Sequence, residues 1–215
     1  SLAAADRLVA IAMDRMGRRI DEVKDFREMQ AGEIEILLGP VDLDAMVAEE
    51  VRGLDRVAGS ARVKTHLSLN IGRTIMLDGR RTGRAVGYIL RRAIGAATRS
   101  ERPEIAVTTA PSPDGILLEV RDNGPVLTEE EVDGFFEPFG AGRWAGSSGP
   151  GMAVVRGVME KLTGRIEVSS GDLDGTCVRI GLPTGLRPSM FPRRPRTSNP
   201  PTIPPTVPPP RRSGA

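Results

Sequence analysis

GILLEVRDNG, residues 115–124, alternates Ile116, Leu118 and Val120 and then closes on Asp122-Asn123-Gly124. A period of two is strand spacing, since successive side chains leave a pleated strand on opposite faces, and Asp-Asn-Gly is turn chemistry. A carboxylate at the end of such a strand can accept a hydrogen bond from an exocyclic amine, and Gly124 lets the chain turn close to a flat ring. In isolation the same residues also read as a plain turn. Two later stretches give them company. In GAGRWAGSSGPGMAVV, residues 140–155, Gly149 and Gly151 precede a helix, so free backbone N–H groups at a helix N-terminus suit phosphates, while the loop's length, with Arg143 and Trp144 inside it, suggests a lid that orders on a ligand. In GTCVRIGLP, residues 175–183, Thr176 opens a strand and is expected to set its hydroxyl beside the Asp122 carboxylate. Together the three stretches point to a nucleotide site.

Helical spacing surrounds them. Within residues 80–98, Val86, Ile89, Leu90, Ala93, Ile94 and Ala97 fall on one side, and Arg84, Tyr88, Arg91, Arg92 and Gly95 on the other. Asp42 reads as an N-cap, with Asp44 in the first turn and Leu43, Met46, Val47, Val51 and Leu54 at helical period to about residue 57. Two short strands are expected within residues 61–77, around a turn at Asn70-Ile71-Gly72 and including His66, and another over residues 104–109. Residues 165–169 and 176–182 read as a hairpin-like pair. Helices and strands mix without a repeated βαβ unit, so an α+β two-layer sandwich with a largely antiparallel sheet is expected.

Residues 4–30 contain no proline and a single glycine, Gly17, and Val9, Met13, Met16, Ile20 and Val23 recur at spacings of 4, 3, 4 and 3. That is a heptad seam on one long helix, which needs a partner helix from this chain, from an upstream segment or from a second copy; the alternative is a core helix packed on its own domain. Three regions follow: a dimerisation helix over residues 1–31, the sandwich over 32–186, and a tail over 187–215.

The 215 residues carry a net charge of +2, but the tail has six arginines and no acid, so the remainder is at −4. The basic balance belongs to the tail, and a nucleic-acid face on the folded part is not implied. The tail also holds ten of the 18 prolines and is expected to be disordered with polyproline II character. One cysteine, Cys177, excludes an internal disulfide, and the single histidine, His66, argues against a His-built zinc site. The start, SLAAADR, has no basic n-region leading into an apolar h-region, and no apolar stretch is long enough to span a bilayer; a cytoplasmic protein with no membrane contact by this segment is expected, with an upstream targeting or membrane segment left open.

The order of these features resembles the C-terminal part of a bacterial sensor histidine kinase over roughly residues 1–184. IMLDGRRTGRAVGYILRRAIGAAT (75–98) is similar to the family's Asp-containing turn and N-box helix, VRDNGP (120–125) to its first glycine box, FFEPF (135–139) to its F-box, and SSGPGMAVVRGVMEKLTGRIEV (147–168) to its second glycine box. DEVKDFREMQAGEIEILLGPVDLDAMVAEEV (21–51) resembles the end of the dimerisation helix and the start of the ATP-binding domain. The resemblance implies a Bergerat, or GHKL, ATPase-like fold, ATP as the cofactor, a homodimer formed through the N-terminal helix, and a response regulator or phosphotransfer protein as partner. It assigns nucleotide binding to Asp122, Gly124, Gly149, Gly151 and Thr176, with Tyr88, Arg92 and Arg143 also at the site.

The departures from the family pattern fall on phosphate and metal. Where the family's N-box helix carries two asparagines and usually a basic residue, this chain has Tyr88, Arg92 and Gly95, which at i, i+4 and i+7 share one helix face. Asparagine offers a neutral carbonyl oxygen to Mg²⁺, whereas Arg92 offers donors and a permanent positive charge, so a metal site is not expected. Either Arg91 or Arg92 pairs directly with phosphates in metal-free binding, or the arginine pairs with a neighbouring acid in a dead site. Val126 replaces a family glycine and is expected to narrow the base pocket; Pro150 stiffens the lid hinge and removes one N–H donor. The phosphoacceptor histidine is absent, His66 being a strand residue, so no catalytic residue is assigned. The expectation is a pseudokinase-like signalling or docking module, against the alternative of an active kinase domain phosphorylating a histidine on another helix. An ATPase using water is disfavoured, because residues 84–98 hold no acid to serve as base.

Overall fold

The computed structural model describes residues 2–58, 63–138, 149–171 and 175–185. A long helix, α1 (Leu2–Gln30), leads into a body made of β1 (Gly39–Asp42), α2 (Leu43–Ala58), β2 (Lys64–Leu69), β3 (Thr74–Leu77), α3 (Gly79–Ala97), β4 (Glu104–Ser112), β5 (Gly115–Asp122), α4 (Glu129–Asp133), α5 (Gly151–Lys161), β6 (Arg165–Ser170) and β7 (Thr176–Leu182). The main sheet has the order β2-β4-β5-β7-β6, with β2 parallel to β4 and every other pair antiparallel. The two strands expected within residues 61–77 are both present, yet they go to different sheets: β2 joins the main sheet, and β3 pairs antiparallel with β1 in a two-stranded ribbon.

The second layer is α2, α3 and α5. Ile116, Leu118 and Val120 of β5 and Val178, Ile180 and Leu182 of β7 are buried, as are Val86, Ile89, Leu90 and Ala93 of α3 and Val155, Val158 and Met159 of α5. Cross-strand register aligns Val120 with Val178 and Leu118 with Ile180, so apolar residues face the helices in rows across the sheet. Burial of this seam, at about 25 cal/mol per Å² of apolar surface, drives the layers together.

Local capping fixes the helix ends. Asp42 Oδ1 accepts from Ala45 N at 2.9 Å and Asp78 Oδ1 from Arg81 N at 2.9 Å, opening α2 and α3. Asp78 also accepts from Leu37 N at 2.9 Å, which pins the chain after α1 to the start of α3. Asp44, expected to complement the helix dipole, makes tertiary bonds besides: it accepts from Ile71 N, Gly72 N and the Thr109 hydroxyl, tying the β2–β3 turn to α2. Helix α1 closes at Gly32, whose φ of +66° is the left-handed conformation that ends helices cheaply in glycine.

The seam of α1 is not packed on the body: Val9, Met13, Met16, Ile20 and Val23 are all more than half exposed. The helix instead meets the body through the opposite side of its C-terminal third, where Asp25 is buried and Phe26 and Met29 lie partly buried against the core. The Arg/Pro tail from 187, Trp144 and the loop around it lie outside the described residues. Among the described residues no helix is long and apolar enough to cross a membrane.

Candidate functional site

The alternation that buries Ile116, Leu118 and Val120 does not stop with them. Asp122 is the next residue of the same parity, so the pleat delivers a carboxylate to the core side of the sheet, where it is 1% exposed. Thr176 is its direct cross-strand partner at the start of β7 and is 0% exposed. A buried carboxylate needs compensation. It comes from α3: Arg92 Nη1 is bonded to Asp122 Oδ2, and Arg92 Nη2 donates to the Thr176 hydroxyl at 2.8 Å. The guanidinium carbon stands 5.0 Å from the centroid of the Phe135 ring, a cation–π placement, and Phe135 in turn packs edge-on to Phe136.

Arg92 is therefore one of the largest fully buried side chains in the protein, 1% exposed, although helical periodicity puts it with the polar side of α3. The difference has a simple cause: an arginine stem is long enough to turn its charge toward an acid that its own helix face overlooks. Burial pushes the guanidinium down and the Asp122 carboxyl up, each opposed by the charge of the other. Arg92 Nε has no hydrogen-bond partner. Gly124 closes the pocket edge: its N–H donates to Asp122 Oδ1 at 2.9 Å, and a β-carbon there would lie 2.6 Å from the Ala96 carbonyl oxygen, so the turn after β5 can lie against α3 only as glycine. Val126, expected to narrow the base pocket, follows this turn. It is 49% exposed, because the chain after Gly124 has already left the sheet.

One turn back along α3 lies a second cluster. Tyr88, 7% exposed, donates its hydroxyl to Asp25 Oδ2 of α1 at 2.8 Å, and Arg84 Nη1 bonds the other oxygen of the same carboxylate. Burial and the Asp25 charge push the tyrosine pKa up, so the phenol stays a donor. Pro150 caps α5, which leaves Gly151 as the first residue of that helix with a free N–H; it donates to Glu22 Oε1 of α1 at 2.6 Å. A β-carbon on Gly151 would stand 2.5 Å from that same oxygen and 3.3 Å from the Tyr88 ring.

The residues singled out in the sequence thus fall into two groups. Asp122, Gly124, Arg92 and Thr176 meet around one buried ion pair; Tyr88, Gly149 and Gly151 meet at the N-terminal end of α5, facing α1. Arg143 lies outside the described residues. His66 is on the open edge strand β2, its Nε2 3.0 Å from Glu104 Oε2. Sequence reading missed Phe135 as the floor under Arg92 and missed the acids of α1. Their signal was present: Glu22, Asp25 and Glu28 repeat every three residues, opposite the apolar seam. Among the described residues no cluster of three or more His, Cys, Asp or Glu is placed to hold a metal.

Residues 78–186 match the model of the histidine kinase-, DNA gyrase B- and HSP90-like ATPase domain. Over 181 residues the chain is 24% identical to the sensor histidine kinase ZraS of Escherichia coli, covering 84% of this chain and 37% of that protein. It is 28% identical over 183 residues to the sensor protein FixL of Bradyrhizobium diazoefficiens, covering 84% of this chain and 35% of that one. The chain thus spans little more than a third of either relative's length. In three dimensions it is similar to the Acinetobacter baumannii histidine kinase AdeS, with a TM-score of 0.66 at 18% identity over 81% of each chain.

Proposed function

The chain belongs to the histidine kinase-, DNA gyrase B- and HSP90-like ATPase family, and from that premise we propose that it is the ATP-binding-fold end of a two-component sensor protein whose nucleotide site is degenerate, so that it works as a pseudokinase-like signalling or docking module. The observation that carries this reading is the destination of Arg92. An adenine amine would need the Asp122 carboxylate, and that carboxylate and its neighbour Thr176 are already held by a buried guanidinium. A metal bridging phosphates would need neutral or anionic oxygens on the N-box face. Tyr88 and Arg92 present donors there, both directed at acids of this chain. The residues present do not fit Mg²⁺-ATP.

In this reading the module is cytoplasmic, forms a homodimer through the exposed seam of α1, and addresses a response regulator or phosphotransfer protein. A second reading, an active kinase domain acting on a histidine from another helix, is supported by the retention of Asp122, Gly124, Gly149, Gly151 and Thr176 at positions matching the family's boxes.

Calorimetry separates them. ATP and ADP are titrated, with and without Mg²⁺, into the unmodified chain and into Arg92→Asn. The expected result is no binding to the unmodified chain and recovery in the variant. Magnesium-dependent binding by the unmodified chain would overturn the degenerate reading and restore the kinase; binding only without metal would replace it with a nucleotide sensor.

A further inference from the structure

Methionine is spread unevenly over the chain. Met152 and Met159 of α5 are 4% and 1% exposed, and Met29, Met46 and Met76 are half-buried, whereas Met13 and Met16 of α1 are 65% and 61% exposed. These two stand three residues apart on one helix face, at the centre of the apolar row Val9, Met13, Met16, Ile20 and Val23. In a heptad they are successive a and d positions, the ones that meet a partner helix. Ala12 and Gly17 beside them are exposed as well, and a β-carbon on Gly17 would meet nothing within 4 Å, so a second helix has room to come close at this level.

A thioether differs from the aliphatic side chains around it in being oxidisable. Hydrogen peroxide needs no help from the protein: the sulfur lone pair attacks one peroxide oxygen, the O–O bond breaks as the S–O bond forms, and the second oxygen leaves as water, carrying the proton of the first. Sulfur loses two electrons and the peroxide gains them. The product is a polar sulfoxide, an acceptor that finds no donor among the apolar residues of the seam. Exposure directs the reaction to α1, since the methionines of α5 are sealed in the core. Cys177 does not compete: it is 5% exposed, and burial pushes its thiol up, away from the reactive thiolate.

We propose that Met13 and Met16 are oxidation sites through which a hydroperoxide separates the α1 homodimer. The inference rests on the dimer reading given above and adds its regulation; it involves neither the Arg92 pocket nor the side of α1 that faces α3. In the monomer both thioethers are open to solvent, and in the dimer the seam of the second copy covers them. Oxidation therefore acts on the dissociated chain and holds it there by mass action. Two sulfoxides from each helix would have to meet at the centre of a re-formed pair. The change is reversible, because sulfoxide reductases return methionine sulfoxide to the thioether.

The test is sedimentation of the full chain before and after hydrogen peroxide, with peptide mass spectrometry to locate the added oxygen. Met13→Leu/Met16→Leu keeps the seam apolar at similar volume and removes both sulfurs, while Cys177 and the other methionines stay in place. The expected result is preferential oxidation at Met13 and Met16 and a dimer dissociation constant raised about tenfold or more, with the leucine variant as dimeric after peroxide as before it. Oxidation of both residues without a change in association would overturn the proposal. So would preference for other methionines, or an equal loss of dimer in the leucine variant, which places the lesion elsewhere. A chain that sediments as a monomer before any peroxide fails the dimer reading itself and the oxidation proposal with it, an outcome told apart because it needs no oxidant. Met13→Gln/Met16→Gln, polar without oxidation, should reproduce the weakening in untreated protein; undiminished association there would also overturn the proposal.

Discussion

Among the arginine–carboxylate pairs that tie helix α3 to the rest of the chain, two contrast: Arg92–Asp122 toward the sheet and Arg84–Asp25 toward α1. In the first both side chains are 1% exposed; in the second the arginine is 30% and the acid 4% exposed. Both unite segments remote in sequence, yet they do different physical work. A pair sealed from water gains little over apolar residues of the same shape, but it cannot lose one member without stranding the other as a buried charge. In the outer pair Arg84 is partly in water, and without it the buried Asp25 carboxylate still accepts from the Tyr88 hydroxyl. The inner pair therefore fixes the fold around the pocket, and the outer one joins α1 to α3 at a less sealed site.

The comparison breaks most visibly at the inner pair. Asp122→Ala leaves Arg92 buried without its partner and is expected to lower the unfolding free energy by about 3–5 kcal/mol, read from urea denaturation. Replacing both members, Arg92→Met with Asp122→Leu, should cost clearly less than Asp122→Ala; a double variant as unstable as the single one would mean the two residues do not act as a unit. At the outer pair Arg84→Ala leaves Asp25 its Tyr88 donor and should cost less, about 1–3 kcal/mol, and it should loosen α1 while the amides of β5 and β7 remain protected. A loss as large as that of Asp122→Ala would erase the distinction between the pairs.

Acidity sharpens the outer contact further. Glu22 has its pKa raised in the docked state, chiefly by desolvation, with Arg91 and Arg19 opposing and Asp25 reinforcing the shift. A raised native pKa means that the docked state binds the proton more tightly. Its contribution is thus fully present below the ordinary value of 4.5 and is lost as pH rises through the raised pKa. Exchange at Gly151, corrected for the intrinsic base-catalysed rate, should accelerate across that window in the unmodified chain. With Glu22→Gln that acceleration should vanish. The smallest change in stability is expected at the seam: Ile20→Glu, at a position 66% exposed, should shift unfolding by no more than about 0.5 kcal/mol, while sedimentation at tens of micromolar reports loss of the dimer.

Much of this architecture can be read directly from residue spacing. The alternation through residues 116–120 and 178–182 gives the two central strands, and helical period gives α2, α3 and α5 nearly to their ends. Short elements escaped that reading. Strand β1 has four residues, too few to show a period, and pairs with a strand more than thirty residues away. Helix α4 has five; only its capping box, Thr128 with Glu131, marks it. For the site, the proximity of Asp122 and Thr176 follows from strand ends and is legible, whereas the presence of Arg92 between them is not. Periodicity assigns a residue to a side of its helix, and a long side chain can cross to the other.

The sequence by itself determined that the chain has two kinds of helix face and a sheet with a carboxylate on its core side, because periods of 3.6 and 2 are local properties of the backbone. The tertiary structure alone decided which faces meet. It set the acidic side of α1, rather than its apolar seam, against the body, and turned Arg92 inward to Asp122 and Thr176. Those choices join residues 30, 84 and 129 positions apart, and they are settled by where each buried charge finds a partner once the layers have closed.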